Sequence, residues 1–171
     1  MWSLSPDHPL RRMLAGITEH AFLDELGIGD PHLVDYISDM LGRFIHMDEM
    51  YHLHDGKGRR LEEVAEMMME AESLPPEGRT RREVYRHIGD YTLFWTGVYP
   101  EAVKRLRNVE SKDHFIDYCE QGKRSYYIAS TFDDDDKLKA EAPVLRRLSD
   151  EFMLCAYGLN QVRREWEKSG S

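Results

Sequence analysis

The chain has 171 residues, of which 41% are apolar and 32% charged, with a formal net charge of −9. That length suits one domain with a sizeable core, and the acid excess argues against nucleic acid or an anionic membrane surface as a partner. No apolar run approaches the ~20 residues that cross a bilayer, and MWSLSPDHPLRRML lacks the basic-then-apolar layout of a secretory signal, so a cytoplasmic protein is expected.

The 3.6-residue period recurs along the chain and no period-two run of β-branched residues stands against it. The pattern predicts a first helix over Leu10–Leu26, with Leu14, Ile17, Ala21 and Leu26 inward and Gly27 and Gly29 ending it. Asp30-Pro31 is an N-cap followed by proline at the first helical position. The second helix then runs to about Met47 and buries Leu33, Ile37, Leu41, Phe44 and Ile45. After a polar loop, HDGKGRR, a third helix covers about Arg59–Glu72, with Leu61, Val64, Ala65 and Met68 inward. Pro75-Pro76-Glu77-Gly78 breaks the chain.

The next segment, TRREVYRHIGDYTLFWTGVYP, reads as the central helix, over 80–99. Thr80 and Glu83 have the spacing of a capping box. Val84, Ile88, Tyr91, Trp95 and Val98 make one apolar face, and Leu93, Phe94 and Tyr99 a second, the pattern of a helix buried among others. Gly89 and Asp90 break that pattern. A mid-helix glycine costs ~1 kcal/mol relative to alanine, and a buried carboxylate needs partners. A close neighbour at Gly89 and a cation, hydroxyls or amides at Asp90 are therefore expected. Tyr118, Ser125 and Tyr126 are the candidate hydroxyls, and Lys123 and Arg124 the candidate cations.

Pro100 to Arg107 is predicted as a short helix, and Ser111 as the cap of one that runs to about Thr131. Its inward line is Phe115, Tyr118, Cys119, Gly122, Tyr126 and Ala129. The acid run Asp133–Asp136 reads as a solvated loop and helix start. A last helix is predicted from near Pro143 to about Lys168, with Val144, Leu148, Phe152, Cys155, Leu159, Val162 and Trp166 inward. Cys119 and Cys155 fall on apolar stripes and read as small core residues. The basic spots at 56–60 and 79–82 read as solvated arginines at helix ends. The expected fold is an all-α single domain, a bundle of six or seven helices around helix 80–99.

Three constellations carry candidate chemistry. His46, Glu49, His52 and His54 lie within nine residues, and Glu49-x-x-His52 is half the ligand set of a ferritin-like di-iron bundle. No second Glu-x-x-His completes it, although Glu83 with His87, or His87 with Asp90, has substitute spacing. His87 and Asp90 share a face, as in a general-base pair, but no nucleophile motif accompanies them. Tyr118, Gly122, Ser125 and Tyr126 lie on adjacent turns, which suits either close helix packing or a slot edged with hydroxyls.

The segments GDYTLFWTGVYPE, at Gly89–Glu101, and YCEQGKRSY, at Tyr118–Tyr126, resemble a group of uncharacterised bacterial all-helical proteins. That group has Gly-Asp-x-x-Leu-Phe-x-x-Gly-x-aromatic-Pro-Glu, then Tyr-x-x-x-Gly-x-x-small-Tyr, then a long helix. The match spans roughly 80–165. No activity is attached to the group, so the resemblance implies a helical fold and a shared core, and no chemistry.

Three functions are weighed. The leading one is a non-catalytic protein that binds a small ligand or a protein partner through Asp90, Tyr91, His87, Gly122, Tyr118 and Tyr126, without a cofactor. The second is a metal-dependent oxidase-type enzyme with iron or zinc on His46, Glu49, His52 and His54. The third is an interaction subunit, a homodimer through Met67, Met68 and Met69.

Overall fold

The computed structural model describes residues 7–51, 59–76, 78–103 and 114–170, with side chains described outside 46–51, 59–63, 65–66, 79, 114–117 and 169–170. Among these residues the chain is all-α. The helices are α1 (Pro9–Glu19), α2 (Pro31–Tyr51), α3 (Arg59–Ser73), α4 (Arg79–Val98), α5 (His114–Ser130), α6 (Asp136–Asp150) and α7 (Phe152–Gly170). Residues 100–103 are helical as well. None of the described helices is long and apolar enough to cross a membrane.

Local chemistry sets most of the boundaries. Asp30 caps α2 through Oδ1, which accepts from the amides of His32 at 3.1 Å and Leu33 at 3.3 Å. Asp135 caps α6 by accepting from the Leu138 amide at 2.9 Å. The end of the first predicted helix is wider than an α-turn: His20–Glu25 is π-helical, and the Leu26 amide bonds back to Ala21 at 3.1 Å. Gly27, at φ 71°, then reverses the chain in a conformation that glycine adopts without strain.

Two boundary expectations and one reading of charge are corrected. The N-cap of α4 is Gly78, with no side-chain bond, and Thr80 lies inside the first turn. Glu83 does not reach back to a capping amide, because Arg82 and Arg86 hold it. Pro143 is interior to α6 rather than at a helix start. It stands on the exposed side, where the bond its missing N–H would have made is left to solvent. One residue, Glu151, separates α6 from α7. The apolar spacing runs through it unbroken, so the pattern alone reads as one helix. Arg82 is also no solvated arginine, being 3% exposed.

Helix α4 is the axis of the packing. Every residue from Ile88 to Val98 is buried, as its two apolar faces require. It packs most extensively on α5, then on α7 and α3. Leu33, Ile37, Leu41 and Phe44 of α2 are buried in the same core, Phe44 stacking on Phe94 of α4, and Tyr118, Cys119, Tyr126 and Ala129 bury the inward line of α5. Val144, Leu148, Phe152, Cys155, Leu159 and Val162 do the same for α6 and α7, while Trp166 is half-buried. The expected short helix beyond 103, the Ser111 cap, and the side chains of Leu61, Ala65 and Phe115 lie outside the described residues.

Candidate functional site

Asp90 has no solvent exposure, and both of its oxygens accept hydrogen bonds. Oδ1 accepts hydrogen bonds from the hydroxyls of Tyr36 and Tyr126, each at 2.7 Å. Oδ2 accepts from Nη2 of Arg43 at 3.2 Å. The carboxylate thus ties α4 to α2 and α5. Helices α2 and α4 approach little through their backbones, so the long side chains of Tyr36 and Arg43 span the gap. A buried charge that is both paired and hydrogen-bonded is the arrangement that limits its desolvation cost.

Gly89 makes this approach feasible. A Cβ at that position would lie 2.6 Å from the Tyr126 ring. Gly122 does the equivalent on the facing helix, where a Cβ would lie 2.4 Å from both Phe152 and the Thr92 hydroxyl. These two positions set the α4–α5 distance. The distance in turn places the Tyr126 hydroxyl on Asp90.

The centre extends along one stripe of α4, because residues four apart share a face. Arg82, Arg86 and Asp90 form that stripe. Glu141 of α6 accepts from Arg82 at 2.8 Å and lies 3.7 Å from Arg86. Glu83 pairs with both arginines, and Asp39 lies 3.6 Å from Arg43. Charges therefore join α2, α4 and α6, and the Tyr126 hydroxyl ties α5 to them.

The surroundings shift the titrations in consistent directions. Burial raises both phenols well above an ordinary tyrosine, and the Asp90 charge adds to it. Burial opposes the charge of Arg43, but Asp90 and Tyr36 outweigh it and its pKa is raised. Arg86 is raised in the same way, against burial, by Tyr36 and Asp90. Burial lowers His87, with Asp90 opposing and the two arginines assisting. Burial pushes the Cys155 thiol up to about 12, which leaves it a packing residue rather than a nucleophile.

Of the expected partners of Asp90, only Tyr126 bonds to it. Tyr118, Ser125, Lys123 and Arg124 do not, and α2 supplies the others. His87 does not pair with Asp90 either. It stacks on Phe44, with ring centroids 5.9 Å apart at 14°, and Tyr91 packs against both. The side chains of His46, Glu49, His52 and His54 lie outside the described residues. Among the described residues, no three His, Cys, Asp or Glu side chains are placed to share a metal. In the methionine run, Met67 and Met68 are half-buried and Met69 is exposed.

An opening lies farther along α4. A groove of about 360 Å³ runs between α1, α2, the end of α4 and α7. Leu14, Leu41, Leu159 and Val162 form its floor, and Tyr99, Arg163 and Trp166 its rim. The end of α4 is fixed there by α7: Asn160 donates to the Gly97 carbonyl at 3.2 Å and Arg163 to that of Val98 at 2.8 Å. None of Asp90, Tyr91, His87, Gly122, Tyr118 and Tyr126 lines this groove. A broader cleft over Tyr36, between α2 and α6, is walled by Asp39, Lys137 and Glu141 and is highly charged.

No family model matches the chain, and neither the curated proteins nor the solved structures include a significant match.

Proposed function

We propose that this is a non-catalytic binding protein, with the Asp90 centre as its frame and the α1/α2/α4/α7 groove as its ligand site. The groove is the observation that carries the reading. Its size falls in the range of about 300–1,000 Å³ typical of small-molecule sites, and it joins an apolar floor to a few polar groups on its rim. The Asp90 centre supports the reading in a different way. A carboxylate whose oxygens are all engaged by tyrosines and arginine, away from solvent, is suited to holding helices rather than to proton transfer. The segments that resemble the bacterial group contain Gly89, Asp90, Gly122 and Tyr126, which are residues of this frame.

A neutral apolar dye, Nile red, tests the reading. The native protein should bind it saturably, near one site per chain, with a shift in its emission. Ile45→Trp, at a half-buried edge position of the groove, should remove binding while the circular dichroism spectrum stays unchanged. Absence of saturable binding to the native chain refutes the assignment.

A further inference from the structure

We infer that the groove takes a neutral, mainly apolar small molecule with a hydrogen-bond acceptor at one end, received by Nη2 of Arg163. The inference rests on the groove being the ligand site, and it adds the chemistry of the ligand.

A guanidinium has five N–H donors in a fixed fork. In Arg163, Nε donates to Glu167 at 3.0 Å, and Nη1 donates to the Val98 carbonyl at 2.8 Å and to Glu101. Among the described residues, those bonds leave the two hydrogens of Nη2 without a protein partner. The group is also fixed in place, since it lies over the Tyr99 ring at 5.0 Å and is only 28% exposed. The result is a preorganised donor on the rim of an aliphatic trough.

The charges around it select the acceptor. Among the described residues one arginine faces two glutamates, a sum of −1 before the ligand arrives. The dipole of the α4 C-terminus, whose Gly97 and Val98 carbonyls accept from Asn160 and Arg163, adds to the negative side. A carboxylate head would meet Glu101 and Glu167, which already neutralise Arg163. An ammonium head has no lone pair to accept from Nη2 and would meet the fixed guanidinium. A neutral amide, ester or ketone oxygen accepts from Nη2 without either conflict. The tail then lies against Leu14, Leu41, Leu159 and Val162.

Three ten-carbon probes of equal length separate these cases by calorimetric titration of the native protein: decanamide, decanoate and decylammonium. Decanamide should bind about tenfold more tightly than either charged probe, the weight of one additional satisfied hydrogen bond. Glu167→Gln, an exposed change, should narrow the gap between decanoate and decanamide by removing one repelling charge. Arg163→Met should cost decanamide about tenfold, and where that variant does not fold, the Glu167→Gln comparison decides. Tightest binding of decanoate, or of decylammonium, overturns the inference. If all three probes are silent while Nile red binds, the ligand class is wrong and the groove stands. If the dye is silent too, both fall.

Discussion

Replacing Gly89 by alanine should destabilise the protein, the reverse of the usual effect in a helix. In α4 the new Cβ would lie 2.6, 2.7 and 2.8 Å from three ring atoms of Tyr126. That ring is fully buried, with Phe152 beside it at 6.2 Å between centroids. It cannot retreat without dragging its hydroxyl from Asp90. Overpacking of this kind costs about 1–3 kcal/mol, and a lost hydrogen bond to a charged group about 1.5–3 kcal/mol. The helix propensity of alanine returns about 1 kcal/mol. The net expectation is a loss of about 1.5–5 kcal/mol. Gly16 is the internal control, because it lies inside α1 with nothing within 4 Å of a Cβ. Gly16→Ala should gain about 0.5–1 kcal/mol from propensity and from a less flexible unfolded chain. Urea unfolding monitored by circular dichroism measures both. If Gly89→Ala is as stable as the native protein, Tyr126 is not seated against α4, and the account of the Asp90 centre fails.

Asp90→Ala should cost about 3–5 kcal/mol, because Arg43 loses its buried carboxylate and the Tyr36 and Tyr126 hydroxyls lose their acceptor. Asp90→Leu combined with Arg43→Met should recover part of that loss in the same unfolding assay, since it removes both buried charges while the Tyr36 and Tyr126 hydroxyls still lack Asp90. Equal losses in the single and double variants would show that the ion pair is not the source. The lowered pKa of His87 makes stability depend on acid. Below the ordinary histidine value of about 6.5 the unfolded chain takes up a proton that the folded chain still excludes, so stability present above that pH falls as pH drops toward the folded pKa. His87→Phe, which preserves the stack on Phe44, should flatten the slope of unfolding free energy between pH 6.5 and 5; an unchanged slope assigns it to other groups.

Much of this fold was legible because the signals were local. Asp30 and Asp135 announce helix starts, Gly27 announces a stop, and two apolar faces on one segment announce a buried axis. The close neighbour at Gly89 was legible for the same reason, since a glycine and a carboxylate in such a helix each demand a particular companion. The identity of the companions was only half legible. Tyr126 lies on an inward line one helix away, whereas Tyr36 and Arg43 sit among the apolar residues of α2 and join Asp90 across 54 and 47 residues of chain. A signal for them existed: Tyr36, Met40 and Arg43 follow helical spacing beside the Leu33–Ile37–Leu41–Phe44 line. Likewise Arg82, Arg86 and Asp90 recur every four residues, which marks a polar stripe. The break at Glu151 left no such trace, and the groove arises from the meeting of four elements, which no single stretch encodes.

The centre and the groove are linked mechanically, and that link decides how binding data on this protein must be interpreted. From Asp90 to Val98 is eight residues, or about 12 Å at 1.5 Å per residue, along a segment of α4 that is buried throughout. Tyr36, Arg43 and Tyr126 hold one end of that segment, and Asn160 and Arg163 hold the other. Loosening Asp90 therefore displaces the groove wall at Val98 and Tyr99 without any contact between Asp90 and a ligand. Loss of binding in Asp90→Ala would not by itself place Asp90 in the site. The distinction lies in how binding tracks stability. Variants of the frame, such as Tyr36→Phe and Gly89→Ala, should lose affinity in step with unfolding free energy, because both readouts report the same packing. Ile45→Trp should lose affinity with stability near native, because it fills the opening and leaves the frame alone. An Asp90→Asn protein of native stability that binds nothing, beside an Ile45→Trp protein that binds normally, would reverse the assignment and put the ligand at the carboxylate.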